Sequence, residues 1–216
     1  MPPKPKKASK PSPGFKQALG IHLLIGLMGE LKLLRDHPPL TRHVDGRYEG
    51  NILGFVRGLR LSAGVIYFLR ERLSTMDFDI TWGHLLDNDQ DSCSPECDVI
   101  IHDKGHVAKW NGTDDPVMVF KFVLASSARA VVSCKSKLTS VDKDYPKALK
   151  KYGVTDVFLF AECCDEADYP KLLKAAKKAG YRGLWCLYLT RKNSAEFRTD
   201  EKMLVAFGDA VHKAVR

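Results

Sequence analysis

The spacing of apolar positions along the chain changes near residue 74. Before it, apolar residues recur every three or four positions over 15–34 and 48–73, which predicts two helices, the second with a break at Leu-Ser-Ala-Gly 61–64. After it, short β-branched and aromatic runs predict strands at 76–82, 97–102, 117–123, 128–134, 154–160 and 184–189. Helical spacing returns over 142–151, 167–179 and 200–215, with Gly153 and Gly180 as stops after the first two. This order predicts an α/β protein with a mixed sheet flanked by helices.

Composition adds a domain prediction. Residues 1–14 are rich in Pro, Lys and Ser and cannot bury enough apolar surface to offset their chain entropy, so we expect a disordered basic tail there. Residues 15–216 are long enough for one domain with a substantial core, and 44% of the whole chain is hydrophobic. We therefore predict a single domain after the tail.

The net charge of +8 is weaker evidence for a polyanionic partner than the magnitude of the charge suggests. Four of the 34 basic residues lie in the first fourteen positions, which leaves 30 basic against 26 acidic residues in the body. A solvated surface of mixed charge explains that excess as well as a nucleic-acid surface does.

Six cysteines are too few for a disulfide scaffold in a chain of 216 residues. The apolar stretch at 21–34 contains Glu30 and Lys32 and follows a Lys/Pro segment, which is unlike a secretory signal, and no apolar run is long enough for a membrane span. We expect a cytoplasmic protein with reduced thiols.

The candidate chemistry lies between residues 92 and 138. Asp98 follows Ser-Pro-Glu-Cys at the start of one predicted strand, and Lys135 ends another predicted strand in Val-Val-Ser-Cys-Lys. If the strands are neighbours, a carboxylate that holds Mg²⁺ would meet an ammonium that orients water and offsets phosphate charge. This arrangement suits phosphodiester hydrolysis, although acids and lysines near strand ends also occur for structural reasons alone.

Three segments carry a resemblance to a known family. They are Trp-Gly-His-Leu-Leu-Asp at 82–87, Ser-Pro-Glu-Cys-Asp-Val-Ile-Ile-His-Asp at 94–103 and Phe-Val-Leu-Ala-Ser-Ser-Ala-Arg-Ala-Val-Val-Ser-Cys-Lys-Ser-Lys-Leu-Thr at 122–139. Their order, polarity and spacing resemble the PD-(D/E)xK nuclease superfamily, and within it a DUF6602-like group of bacterial and phage-associated proteins. The similarity extends over residues 45–160.

The resemblance implies a restriction-endonuclease-like mixed central sheet flanked by helices and a divalent metal, Mg²⁺ or Mn²⁺. Asp98 matches the metal-binding aspartate of the family and Lys135 matches its lysine. Glu49, on an early predicted helix, matches a glutamate that completes the metal site in related proteins; a solvated helix face is the alternative.

One position departs from the family pattern. Ser133 stands where the motif has glutamate, and a neutral hydroxyl is a poor ligand for Mg²⁺. Some restriction enzymes with Ser-x-Lys recover the acid from the next helix, but the corresponding position here is Ala148. Asp142 and Asp144 are the next acids along the chain, and Glu49 or Glu96 could serve from elsewhere.

Lysines follow the motif strand and form a candidate nucleic-acid surface. Several share one face of the predicted helix, with Tyr145 as a stacking neighbour. The candidate contacts are Lys137, Lys143, Lys147 and Lys150. A basic solvated helix is the alternative.

Two other constellations are weaker. Cys93, Cys97, Cys163, Cys164 and His102 could be assembled into a zinc site, but the spacing is loose and adjacent cysteines rarely bind one ion together. A proton relay through His84, His102 and His106 competes with ordinary loop histidines.

The sequence thus favours a Mg²⁺-dependent endonuclease, with DNA as its substrate more than RNA, in a setting of defence or mobile elements that only the resemblance implies. Asp98, Lys135 and Ser133 are its predicted catalytic residues, Asp98 and Glu49 its predicted metal ligands, and a homodimer is an open alternative to a monomer. One rival is a catalytically degenerate relative that binds nucleic acid or a protein partner. Another is an interaction protein in which Asp98 and Lys135 form only a buried ion pair.

Overall fold

A computed structural model describes residues 49–89, 91–106, 120–191, 197–198 and 200–216, with only the backbone for 49–56, 120 and 197–198. The predicted tail, the first predicted helix and the start of the third predicted strand lie outside these residues.

Four helices and seven strands form the described part, together with a short 3₁₀ turn at Ala125–Ser127. The helices are α1 (Glu49–Arg72), α2 (Tyr145–Lys150), α3 (Tyr169–Ala179) and α4 (Glu201–Val215). The strands are β1 (Phe78–Leu86), β2 (Cys97–Asp103), β3 (Phe120–Leu124), β4 (Ala128–Lys137), β5 (Val157–Asp165), β6 (Leu184–Thr190) and β7 (Phe197–Arg198).

The strands form one mixed sheet in the order β3-β1-β2-β4-β5-β6-β7. Strands β4, β5 and β6 are parallel, as expected where α2 and α3 make the crossovers, whereas β2 is antiparallel to both β1 and β4. Strand β3 pairs with β1 in parallel and β7 with β6 in antiparallel orientation. The predicted α/β class and mixed sheet are confirmed.

Each face of the sheet is covered by one pair of helices. Leu61 of α1 and Phe207 of α4 belong to the core cluster on one side, which we call the α1/α4 face. Leu149 of α2 and Leu172 of α3 belong to the cluster on the other side, the α2/α3 face. Because strand β4 is buried from Ala130 to Cys134, its side chains divide between these two cores and place the motif at the centre of the sheet.

Helix α1 is continuous, so the predicted break at 61–64 is wrong. The Ser62 hydroxyl donates to Gly58 O at 3.0 Å, and Leu61 and Val65 are fully buried against the sheet. This packing offsets the roughly 1 kcal/mol by which a glycine such as Gly64 weakens a helix.

Two predicted strand boundaries are also wrong. Strand β1 begins at Phe78 and continues through Gly83 to Leu86, and β5 begins at Val157 and continues to Asp165. Gly83 permits the extension of β1 because a Cβ there would lie 1.8 Å from Lys121 O on β3. Strand β5 extends because Glu162, polar in the sequence, is fully buried and hydrogen-bonded.

Among the helix ends, Asp200 accepts a hydrogen bond from Lys202 N at 3.0 Å and caps α4, and Gly180 ends α3 with φ of 104°. Within the described residues, no helix has both the length and the apolarity to cross a membrane.

Candidate active site

Asp98 and Ser133 lie opposite each other on neighbouring strands. The β2–β4 register pairs Val99 with Val132 and Ile100 with Val131, which makes Asp98 and Ser133 the next pair and directs both side chains to the α2/α3 face. Lys135 lies two residues beyond Ser133 and therefore on the same face. The fold thus brings together the three residues that the sequence predicted as catalytic.

The Asp98 carboxylate is held by the backbone of the motif strand. Its Oδ2 accepts a hydrogen bond from Cys134 N at 2.8 Å, and its side chain is half-buried. Burial raises the pKa of Asp98, while that hydrogen bond and the Lys135 charge act in the opposite direction. Since burial prevails, the ionised form of Asp98 is held in the sheet at a cost in stability that a cation would remove.

Lys135 is exposed and forms no ion pair within 4 Å of any described carboxylate, Asp98 included. The hypothesis of a buried Asp98–Lys135 ion pair is therefore wrong, because the lysine side chain extends into solvent at the end of β4. Its charge nevertheless acts to lower the pKa of Asp98.

Ser133 is 1% exposed, and its Oγ makes no hydrogen bond among the described residues. The hydroxyl still acts weakly to lower the pKa of Asp98, which is consistent with a nearby dipole lacking good hydrogen-bond geometry. Ser133 therefore occupies the position of the motif acid without supplying its charge.

Glu96 is the described acid whose charge acts on Asp98 and raises its pKa. It lies two residues before Asp98, is exposed, and its Oε1 accepts a hydrogen bond from Trp82 Nε1 at 2.7 Å. No group of three or more His, Cys, Asp or Glu residues in the described part of the chain is arranged to hold a metal. Among these residues, this finding excludes the zinc site that the cysteine spacing suggested.

The Glu49 side chain lies outside the described residues, so its role as a metal ligand stays a prediction. Glu49 is the first residue of α1. The buried residues of α1 pack on the α1/α4 face. Arg57, two turns further along, donates to Glu162 Oε2 at 2.7 Å.

Strand β2 separates two of the predicted relay histidines from Asp98. His102 is four residues further along, roughly 13 Å in an extended strand, and it is buried with Nδ1 2.9 Å from Asp103 O. Burial lowers its pKa. His106 follows His102, beyond the same end of the strand, so a relay that includes these two residues and Asp98 is wrong.

The predicted nucleic-acid contacts are exposed, and α2 packs on the same face as Asp98. Lys147 makes an exposed pair with Asp144 at 3.1 Å, which is too weak to remove it from binding. Lys143 precedes the helix, because α2 begins only at Tyr145. Tyr145 does not offer a free ring for stacking, since it packs against the core and its hydroxyl donates to Glu96 O at 3.1 Å.

Sequence reasoning missed two polar groups. Glu162 is fully buried on the α1/α4 face and receives hydrogen bonds from Arg57 and from the Tyr188 hydroxyl, the latter at 2.8 Å. Tyr181 is 3% exposed, its Oη makes no hydrogen bond in the described part, and the Asp98 charge contributes to raising its pKa. No local pattern marks either residue, because Arg57 and Tyr188 are distant from Glu162 in sequence and Asp98 is distant from Tyr181.

No protein-family model and no curated protein matches the chain. Solved structures do match. The cAAA-bound NucC of Escherichia coli MS115-1 shares 13% identity at a TM-score of 0.52, over 97% of this chain and 93% of that one. The cAAA-bound NucC of Pseudomonas aeruginosa ATCC27853 shares 12% identity at a TM-score of 0.55, over 95% and 93%.

The chain has the NucC fold. This confirms the predicted restriction-endonuclease-like architecture, a mixed central sheet flanked by helices. The narrower resemblance to the DUF6602-like group is not supported by these comparisons and stays a prediction.

Proposed function

We propose that this protein is a metal-dependent endonuclease that hydrolyses phosphodiester bonds, with DNA as the favoured substrate and a role in defence or mobile-element conflict. The observation that carries the proposal is the placement of Asp98 and Lys135 on one face of neighbouring strands in a NucC-like sheet. The cytoplasm as its location belongs to the same proposal, supported by six free thiols, of which Cys164 and Cys186 lie 3.4 Å apart.

The residues near Asp98 fit a Mg²⁺ or Mn²⁺ ion that keeps most of its waters. Mg²⁺ in phosphoryl-transfer sites commonly uses only one or two carboxylates. Asp98 would supply one and Glu96 or Glu49 the other, and the raised pKa of Asp98 indicates a carboxylate that a cation would stabilise. When bound, such an ion would supply Lewis-acid charge at the scissile phosphate.

The chain's own residues would do the remaining work. The Lys135 ammonium would orient the attacking water and offset phosphate charge, which its exposed position at the end of β4 permits. Cys134 N fixes the Asp98 carboxylate, so the acid is oriented before any ligand arrives. The α2 lysines would hold the phosphate backbone beside the site.

The test is cleavage of supercoiled DNA, linear DNA and RNA with Mg²⁺ or Mn²⁺, each with and without cAAA because the similar NucC structures are cAAA-bound forms. We expect metal-dependent DNA cleavage that falls ~100-fold or more in Asp98→Asn and Lys135→Ala. Lys174→Ala, on the exposed face of α3, is the charge-matched control and should retain full activity. Equal activity in all four proteins would refute the assignment.

Ser133 favours a second candidate, a degenerate nuclease-fold protein that binds nucleic acid or a protein partner without cutting. Ser133→Glu separates the two, because it restores the acid of the motif. If both the wild type and Ser133→Glu bind DNA but only Ser133→Glu cleaves it, the wild-type protein is the degenerate form. Light scattering of the same samples decides between a monomer and a homodimer.

A further inference from the structure

Two hydroxyl groups on the α2/α3 face are enclosed by protein without a hydrogen-bond partner in the described residues: Ser133 Oγ and Tyr181 Oη. Their residues are 1% and 3% exposed. An unsatisfied buried hydroxyl costs about 1–3 kcal/mol, so native proteins rarely keep one without a ligand or ordered water. Two such hydroxyls on one face of the sheet indicate room for a polar group or ordered water at that face.

The fold places both hydroxyls on the face of the sheet that carries Asp98. Ser133 is opposite Asp98 in the β2–β4 register. Tyr181 follows Gly180, which lies against Pro146 of α2, so that its ring packs in the core between the sheet and the ends of α2 and α3. The Asp98 charge contributes to raising the pKa of Tyr181 and of Tyr145, in agreement with their packing on the same face of the sheet.

The chemistry of the three groups is complementary. Burial raises the pKa of Tyr181 and keeps its phenol protonated at neutral pH, which makes it a hydrogen-bond donor. Ser133 can donate and accept. Asp98 accepts, and Cys134 N occupies only its Oδ2. A water with two donors and two acceptors satisfies such a set.

We infer that Tyr181 is a positioning residue of the candidate active site: its hydroxyl and Ser133 Oγ hold a water against Asp98, and these neutral groups take the place of the missing motif carboxylate. The part of this inference that concerns metal binding rests on the proposed function. In that part of the inference, the two hydroxyls orient the Asp98 oxygen that Cys134 N does not contact, and this orientation favours cation binding.

The test compares Tyr181→Phe with Tyr169→Phe, a matched control whose hydroxyl donates to Leu184 O at 2.8 Å. Metal-free crystal structures should contain a water within ~3.2 Å of both Ser133 Oγ and Tyr181 Oη in the wild type and in Tyr169→Phe. In Tyr181→Phe that water should be absent. By calorimetry, Mn²⁺ affinity should fall ~10-fold in Tyr181→Phe and stay unchanged in Tyr169→Phe.

Ser133→Glu provides the decisive background. With the motif acid restored, Tyr181→Phe should change Mn²⁺ affinity by less than about 2-fold, since the hydroxyl no longer substitutes for a carboxylate. If no water bridges the two hydroxyls and Tyr181→Phe binds Mn²⁺ as tightly as the wild type, the inference is wrong. If the water is present but the wild type binds no Mn²⁺, the proposed function fails while the positioning role of Tyr181 stands.

Discussion

Asp98 and His102 lie four residues apart on β2, and burial acts on both in the direction of the neutral form. Burial raises the pKa of Asp98 and lowers that of His102. Of the two, Asp98 is the one that faces the positive charge of Lys135 and a backbone N–H. The same strand therefore presents one carboxylate suited to a cation and one neutral core histidine.

His102 should make the protein less stable in mild acid. Because its folded pKa lies below the unfolded value near 6.5, the unfolded chain binds the proton more readily, and stability falls as pH drops below that value. One such proton contributes a slope of at most ~1.4 kcal/mol per pH unit. Urea unfolding at pH 7.5, 6.5 and 5.5 should show a smaller decrease in stability in His102→Phe than in the wild type.

The exposed His106, which follows the end of β2, provides the control for this measurement. His106→Gln should keep the wild-type pH dependence. A pH dependence that persists unchanged in His102→Phe would show that other groups cause the acid destabilisation.

At the scale of elements, α1 and the sheet are joined by a buried ion pair. Arg57 Nη2 and Glu162 Oε2 lie 2.7 Å apart, with Glu162 fully buried and Arg57 largely so. Tyr188 on β6 donates to the other carboxylate oxygen. One carboxylate thus links a helix and two strands on the face opposite Asp98.

Glu162→Gln should destabilise the protein by about 3–5 kcal/mol, because it leaves the Arg57 charge buried without a counterion. Glu166→Gln is the matched control, since Glu166 pairs with Arg191 at 2.7 Å near the surface and the substitution should cost about 1 kcal/mol or less. Urea midpoints at constant m-value measure both. Similar destabilisation in the two variants would show that burial of the pair contributes little.

The same elements show what local pattern can predict. The cores of β2, β4 and β6 follow from β-branched and aromatic runs, and their predicted starts at residues 97, 128 and 184 are correct. The late end of β5 was not predictable, because Glu162 has the polarity of a surface residue unless Arg57 and Tyr188 are known to meet it. The unbroken α1 was missed because tertiary packing holds Gly64 in the helix.

At the scale of the molecule, the lysines near α2 and those of α3 are similar in number, but only α2 directly follows the motif strand β4 along the chain. Lys143, Lys147 and Lys150 are exposed on the segment around α2, and this segment contacts the residues before Asp98 through the Tyr145 hydroxyl and Glu96 O. A second set on α3 is also exposed: Lys171, Lys174 and Lys178. If net charge alone attracts nucleic acid, both sets should contribute equally.

We expect the triple variant Lys143→Gln, Lys147→Gln, Lys150→Gln to reduce the slope of log K against log salt by roughly 0.9 for each phosphate that is no longer neutralised, or about 2–3 in total. Fluorescence anisotropy on duplex DNA between about 50 and 200 mM salt covers the range in which this dependence is measurable. The triple Lys171→Gln, Lys174→Gln, Lys178→Gln should leave the slope nearly unchanged. Equal reductions would indicate binding through net charge without a defined surface.

The sequence by itself determined the α/β class, the order of strands along the chain and the choice of Asp98 with Lys135 as candidate chemistry, because hydrophobic period and residue type are local properties. The tertiary structure alone decided that Ser133 lies opposite Asp98, that Lys135 is exposed and forms no ion pair with a described carboxylate, and that Tyr181 packs on the same face of the sheet as Asp98. These facts depend on strand register and on packing between distant elements, which no local pattern records.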